Sequence, residues 1–168
     1  MAEEYLYKNA HKSKTNVIIL RVSNIIGSPN SSKLKTWKYV ANDLCLQAHK
    51  DKKIILQTQG LQKRDFLYID DFINSVFKCF KYSHLHGEII NIGYGEPKKL
   101  KNIVKYIRNL INGGNPEYGK IKIRKDEILE TYPDIKKAKK LLKWKPKVKF
   151  KQGIKKTINF YKQFNLSI

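Results

Sequence analysis

The sequence predicts an α/β fold, and three observations carry that prediction. Short runs of β-branched and aromatic residues alternate with segments of helical apolar spacing along the whole chain. The run Val17-Ile18-Ile19-Leu20-Arg21-Val22 is apolar without a period-two alternation, the pattern of a strand covered on both faces in a parallel sheet. The chain has 168 residues, 41% of them hydrophobic, which suits one domain with a real core.

Glu3 to His11 reads as the end of a helix, broken by the polar stretch from Asn9 to Asn16. The strand at 17–22 stops at Ser23-Asn24, and Gly27-Ser28-Pro29-Asn30-Ser31-Ser32 reads as a loop. Trp37 to His49 has helical spacing, with Trp37, Val40, Ala41, Leu44, Cys45 and Ala48 on one face. Ile54-Ile55-Leu56 and Phe66-Leu67-Tyr68-Ile69 are short extended pieces. Asp70 or Asp71 is expected to cap a helix reaching about Tyr82, with Phe72, Val76, Cys79 and Phe80 inward. Glu88 to Ile92 is a strand ending at Gly93, and Leu100 to Ile111 an amphipathic helix terminated by Gly113-Gly114-Asn115-Pro116. Ile121 to Arg124 reads as a strand, and Asp134 as the cap of a short helix through Leu142. Pro146 breaks the chain before a last helix from Lys151 to Phe164. The strand at 17–22 has the character of an interior strand with few neighbours in this chain, so unpaired edges and exposed apolar faces are expected there.

Composition excludes several functional classes. No apolar run approaches the roughly 18 residues needed to span a bilayer. Met1-Ala2-Glu3-Glu4 lacks the basic, then apolar, pattern of a signal peptide. Cys45 and Cys79 stand far apart in helical apolar patterns and read as free buried thiols, and together these features predict a cytoplasmic protein. The formal net charge of +21 raises the question of nucleic acid, but arginine stands only at 21, 64, 108 and 124. Lysines spread over the polar faces of helices supply the rest, without the bidentate contacts of a specific nucleic-acid site. Weak, salt-sensitive association with polyanions is expected in either case. His11, His49, His84 and His86 show no metal-ligand spacing.

Five segments, in order, carry a more specific reading. They are Ile18 to Gly27 (IILRVSNIIG), Gly60 to Asp71 (GLQKRDFLYIDD), Ile90 to Glu96 (INIGYGE), Tyr132 to Ala138 (YPDIKKA), and Leu142 to Pro146 (LKWKP) with Gly153-Ile154. Together they resemble the extended short-chain dehydrogenase/reductase family of NAD-dependent sugar-nucleotide epimerases and dehydratases, over essentially the whole chain. The resemblance implies the C-terminal part of a Rossmann-like enzyme with its small substrate-binding domain. Residues 1–30 would be the last part of the Rossmann sheet region, and 31–168 mainly the substrate-binding region with some returning Rossmann elements.

By the same resemblance, Asn24 contacts the diphosphate region of the sugar nucleotide from its strand end, unless it caps the following turn. Arg64 contacts the nucleotide through its planar fork, unless it pairs with Asp65 or Asp70. Arg124 binds phosphate, and Glu127 accepts from the ribose hydroxyls. Tyr39 and Val40 lie near the uridine-contacting segment, and Val22 and Ser23 where the chain passes the nicotinamide. The implied cofactor is NAD or NADP, yet the sequence holds no glycine-rich dinucleotide turn. The family's catalytic Tyr-x-x-x-Lys would fall immediately before Met1, with Glu3 or Glu4 matching the glutamate that follows it. Tyr94/Lys98, Tyr118/Lys122 and Tyr132/Lys136 have that spacing, but each contains Gly or Pro and cannot form the helical turn required. The reading is a nucleotide-sugar-binding part without its own turnover, from an enzyme that is a homodimer when complete. The alternatives are a non-catalytic remnant or subunit completed by a separate NAD-binding chain, and a basic nucleic-acid-binding protein.

Overall fold

The computed structural model describes residues 2–10, 12, 16–27, 39–50, 53–82, 84–121 and 126–164. It is an α/β structure with mostly parallel strand pairs. Strand β1 (Ile19–Val22) runs parallel to β6 (Ile89–Ile92), and β2 (Asn24–Ile26) parallel to β5 (Phe66–Tyr68). Strand β3 (Lys53–Thr58) runs parallel to β8 (Asn115–Ile121). Strand β4 (Lys63–Arg64) lies between β7 (Lys98–Lys99), antiparallel, and β9 (Glu130–Thr131), parallel.

Two cores form on either side of β5. Its side chains alternate across the strand, so Phe66 and Tyr68 enter one core and Leu67 the other. The first core gathers the apolar faces of α2 (Val40–Lys50), α4 (Leu100–Ile111) and α6 (Phe150–Phe164) over Ile26, Ile54 and Leu56. In α4, Leu100, Ile103, Val104 and Ile107 are buried, as the helical spacing dictates. The second core joins Ile90 and Ile92 of β6 to Ala138 of α5 (Lys136–Leu141), Leu142 and Trp144. Helix α3 (Ile69–Lys81) closes it with Phe72 and Cys79. Cys45 is fully buried, which pushes its thiol well above the ordinary range, and Cys79 is half-buried; both are free.

Several expectations are corrected. The strand at 17–22 is not covered on both faces: Ile19 and Leu20 are half-buried, while Arg21 and Val22 are exposed. Among the described residues β1 has β6 as its only sheet neighbour, so one edge stays open. Neither Asp70 nor Asp71 is the N-cap of α3; Tyr68 stands there without a side-chain cap bond. Asp71 is buried because its Oδ2 accepts from the backbone N–H groups of Lys147 (3.0 Å) and Val148 (2.9 Å). Its carbonyl accepts from Trp144 Nε1 at 3.1 Å. Asp70 is exposed and faces Lys156 at 3.4 Å. Phe80, expected inward, is 77% exposed, and continues a stripe with Ile73 and Phe77 on the face opposite Phe72 and Cys79.

Asp134 does bond a first-turn amide of α5, that of Lys136 at 2.8 Å, although Ile135 is the formal cap. That backbone bond holds the Asp134 carboxyl below its usual range. Strand β8 is described over Asn115–Ile121, so it begins at Asn115, ahead of the expected start at Ile121. Pro116 is tolerated because, among the described residues, β8 pairs with β3 alone, which leaves one side of the strand for its missing N–H. The loop at 28–32, Trp37 and residues 122–124 lie outside the described residues.

The Asp71 contacts pin the 144–148 segment to α3. Asp71→Ala should lower the unfolding free energy by about 2–3 kcal/mol, because two partly buried amides lose a charged acceptor. Urea denaturation checks this, and an unchanged midpoint would show that the carboxylate does not hold the segment.

Candidate functional site

A cavity of about 940 Å³ opens where β1 and β6 end. It lies at the carboxyl ends of two parallel strands, the edge at which open α/β sheets bind ligands. The Arg21–Ile25 segment and Gly27 form one wall, Thr131-Tyr132-Pro133 another, and Tyr39, Asn42, Ile69 and Phe72 complete the lining with Asp65 and Asn91.

Asp65 organises this region. It sits between β4 and β5, only 1% exposed, and its carboxylate accepts from three successive backbone N–H groups. Tyr94 donates to Oδ1 at 2.8 Å; Gly95 and Glu96 donate to Oδ2 at 2.7 and 3.1 Å. The backbone of Asp65 is engaged as well: its N–H donates to the Thr131 carbonyl at 3.1 Å, and its carbonyl accepts from Asn24 Nδ2 at 2.9 Å. Gly93 lies beneath, where a Cβ would meet Pro133 Cγ, Asp65 Oδ1 at 2.8 Å and Ser23 Oγ at 3.0 Å. A side chain there would push three walls of the cavity apart.

Val22, Ser23, Asn24 and Tyr39 all line the cavity. Asn24 is held by the Asp65 carbonyl rather than turned to its own strand end. Ser23 Oγ is buried without a hydrogen-bond partner among the described residues, while its backbone N–H donates to the Ile92 carbonyl. Tyr39 is 61% exposed at the margin. Arg64 and Glu127 do not line the cavity; they meet each other, Nη2 to Oε1 at 3.1 Å, with both side chains about three-quarters covered. Glu127 Oε1 also accepts from Gln62 Nε2 at 3.3 Å. Arg64 is thus paired with Glu127 rather than with Asp65 or Asp70, next in sequence to Asp65 and opposite Thr131 in register. Arg124 lies outside the described residues.

Arg21 also lines the cavity and is tied to α1 (Ala2–Ala10) by Glu3, whose Oε1 accepts from its Nε at 2.9 Å. That bond holds the Glu3 carboxyl below its usual range and raises the guanidinium. Sequence reasoning passed over Asn42 and the structural role of Asp65. Asn42 is 2% exposed and its Oδ1 accepts from the Gly27 N–H at 3.1 Å. The available signals were an amide amid the buried face of a helix and a carboxylate abutting the apolar run 66–69. Among the described residues no cluster of three or more metal-ligating side chains forms, and no helix is long and apolar enough to cross a membrane.

Comparison with known proteins gives one consistent family. A model of the NAD dependent epimerase/dehydratase family matches residues 1–93. The chain is 29% identical over 163 residues to the UDP-glucuronate 4-epimerase of Thermodesulfobacterium geofontis, covering 96% of this chain and 48% of that protein. It is 30% identical over 165 residues to a putative UDP-glucose 4-epimerase of Methanocaldococcus jannaschii, covering 98% and 52% respectively. The UDP-glucuronic acid 4-epimerase of Bacillus cereus, solved with UDP-glucuronic acid and NAD, superposes with a TM-score of 0.75 at 27% identity, over 95% of this chain and 50% of that one. The chain spans about half the length of the curated relatives it matches.

Removing the Asp65 carboxylate should loosen the whole site. Asp65→Ala leaves three partly buried amides without their charged acceptor and should cost about 3 kcal/mol. Asp65→Asn keeps an acceptor oxygen and should cost about half of that. Thermal melting of the two variants orders them; equal, small shifts would mean that water replaces the carboxylate freely.

Proposed function

The chain belongs to the NAD-dependent epimerase/dehydratase family, and on that premise we propose that it forms the nucleotide-sugar-binding part of such an enzyme. One observation carries the proposal: the large cavity at the ends of β1 and β6 gathers Val22, Ser23, Asn24 and Tyr39. The Arg64–Glu127 pair stands beside its Asp65–Thr131 wall.

In this reading Arg64 turns its guanidinium fork to the diphosphate, which it can bind in two parallel bonds. Glu127, already an acceptor for two side chains, turns to the ribose diol. Asn24 presents its amide to the diphosphate from a position fixed by Asp65, and Tyr39 covers the base at the cavity margin. Arg124 adds a phosphate contact by family resemblance.

The residues present fit only the edge of a dinucleotide. Ser23 Oγ, buried and lacking a partner, suits one polar contact to the nicotinamide end, with Val22 beside it. No glycine-rich turn in the sequence would hold the cofactor's phosphates. Bound NAD would accept hydride from a sugar hydroxyl carbon and return it, which is the redox chemistry of the family. This chain's share is to bind and orient the sugar nucleotide and to exclude water around it. Tyr94 and Tyr132 precede β7 and α5, and Tyr118 lies on β8, so none of these tyrosines stands in the helical turn that a Tyr-x-x-x-Lys pair needs, which supports reading the three matches as coincidence. The edge of β1 that has no neighbour among the described residues favours a second reading, in which a separate polypeptide pairs there and contributes the NAD-binding half.

The purified chain should bind UDP without converting UDP-glucose in the presence of NAD. Arg64→Ala should weaken UDP binding by about 1.5–3 kcal/mol, the cost of losing charged hydrogen bonds. Calorimetric titration of both proteins decides the matter. Equal affinity would discard the assignment of Arg64, and NAD-dependent turnover would overturn the claim that catalysis needs a further half.

A further inference from the structure

A second cavity, of about 350 Å³, lies away from the first, between the start of α4 and the start of α6. Its walls combine two kinds of group. Tyr94, Tyr106 and Phe150 supply aromatic surface, and Lys98, Lys99, Lys149 and Lys151 surround it. Lys98 Nζ stands 5.8 Å from the Tyr94 ring centroid, and Lys151 Nζ 5.3 Å from that of Tyr106. The buried Ile103 side chain and the Asn102 amide complete the lining.

Four like charges around one cavity repel one another, and no carboxylate lines it. The nearest compensation is Glu96, which holds Lys98 at 2.8 Å. Lys98 and Lys99 are both half-buried. Neither α4 nor α6 has an acidic residue in its first turn, so the positive ends of both helices add to the field. Aromatic faces that bind a planar ring, beside cations that bind phosphate, match one ligand chemistry in both parts.

We propose that this cavity is a second ligand site, for a free nucleoside di- or triphosphate, with the base against the Tyr94, Tyr106 and Phe150 rings and the phosphates on the lysines. The proposal is independent of the nucleotide-sugar reading of the first cavity. Tyr94 stands on the turn whose amides Asp65 holds, so this turn borders both cavities.

The test is calorimetric titration of the full chain with ADP, and separately with pyrophosphate, at about 0.15 M salt, where exposed charges are largely screened. ADP should bind about tenfold or more tightly than pyrophosphate, because the base contributes stacking. The double variant Lys99→Ala/Lys149→Ala, confined to the rim, and Tyr106→Leu should each weaken ADP binding about tenfold or more. Asn24→Ala, in the other cavity, should leave it unchanged. Pyrophosphate binding as tightly as ADP would reduce the site to a lysine surface and overturn the proposal. So would ADP binding that survives the Lys99→Ala/Lys149→Ala change, which does not touch the core, or that is lost in Asn24→Ala. A single-stranded oligoadenylate that displaces ADP at lower concentration would overturn the assignment to a free nucleotide.

Discussion

A single buried carboxylate sets the geometry on which the candidate site depends. Asp65 lies where β4 passes into β5, and its two oxygens hold three consecutive amides at the end of β6. Three amides pointing to one centre form a concave donor set that would be costly to leave empty in a protein interior. Because Asp65 also bonds Asn24 and Thr131 through its backbone, the end of β1, the turn after β6 and the start of the 131–133 wall are fixed relative to one another. The cavity is the space these three segments leave between them.

The segments that carried the family resemblance are also the segments that touch. Gly93 packs under Ser23, Asp65 and Pro133, which bring together four of the five stretches. The fifth is joined through Trp144, which is buried in the second core and donates to the carbonyl of Asp71. Much of what makes these stretches recognisable is therefore structural: a carboxylate for a nest of amides, a glycine where no Cβ fits, a tryptophan with one partner for its N–H. Asn24, Ser23, Tyr39 and the Arg64–Glu127 pair are among the groups the fold places at or beside the cavity.

Long elements were legible in the sequence because periodicity is summed over several turns. Helix α4 spans the residues its apolar spacing marks, and α6 and β6 differ by a residue from their expected starts. The two- and three-residue strands β2, β4, β7 and β9 carry no periodic signal and exist only through their pairing partners. Pairing also decides what local pattern cannot: Pro116 entered a strand because its neighbour lies on one side. The face of α3 was misjudged at Phe80 because apolar residues occur on both sides of that helix, and spacing alone does not say which side meets the sheet. In the site, the family resemblance pointed to Asn24 and Arg64, but not to the Arg64–Glu127 contact. That contact spans 63 residues and depends on β9 lying beside β4.

The most direct test of this account is residue-resolved hydrogen exchange at the amides of Tyr94, Gly95 and Glu96, with and without UDP-glucose. If Asp65 holds that turn and the adjoining cavity takes the nucleotide sugar, these amides exchange slowly for a loop and slow further when UDP-glucose is added. Exchange at the rate of an open loop, unaltered by UDP-glucose, would contradict both the role of Asp65 and the placement of the ligand.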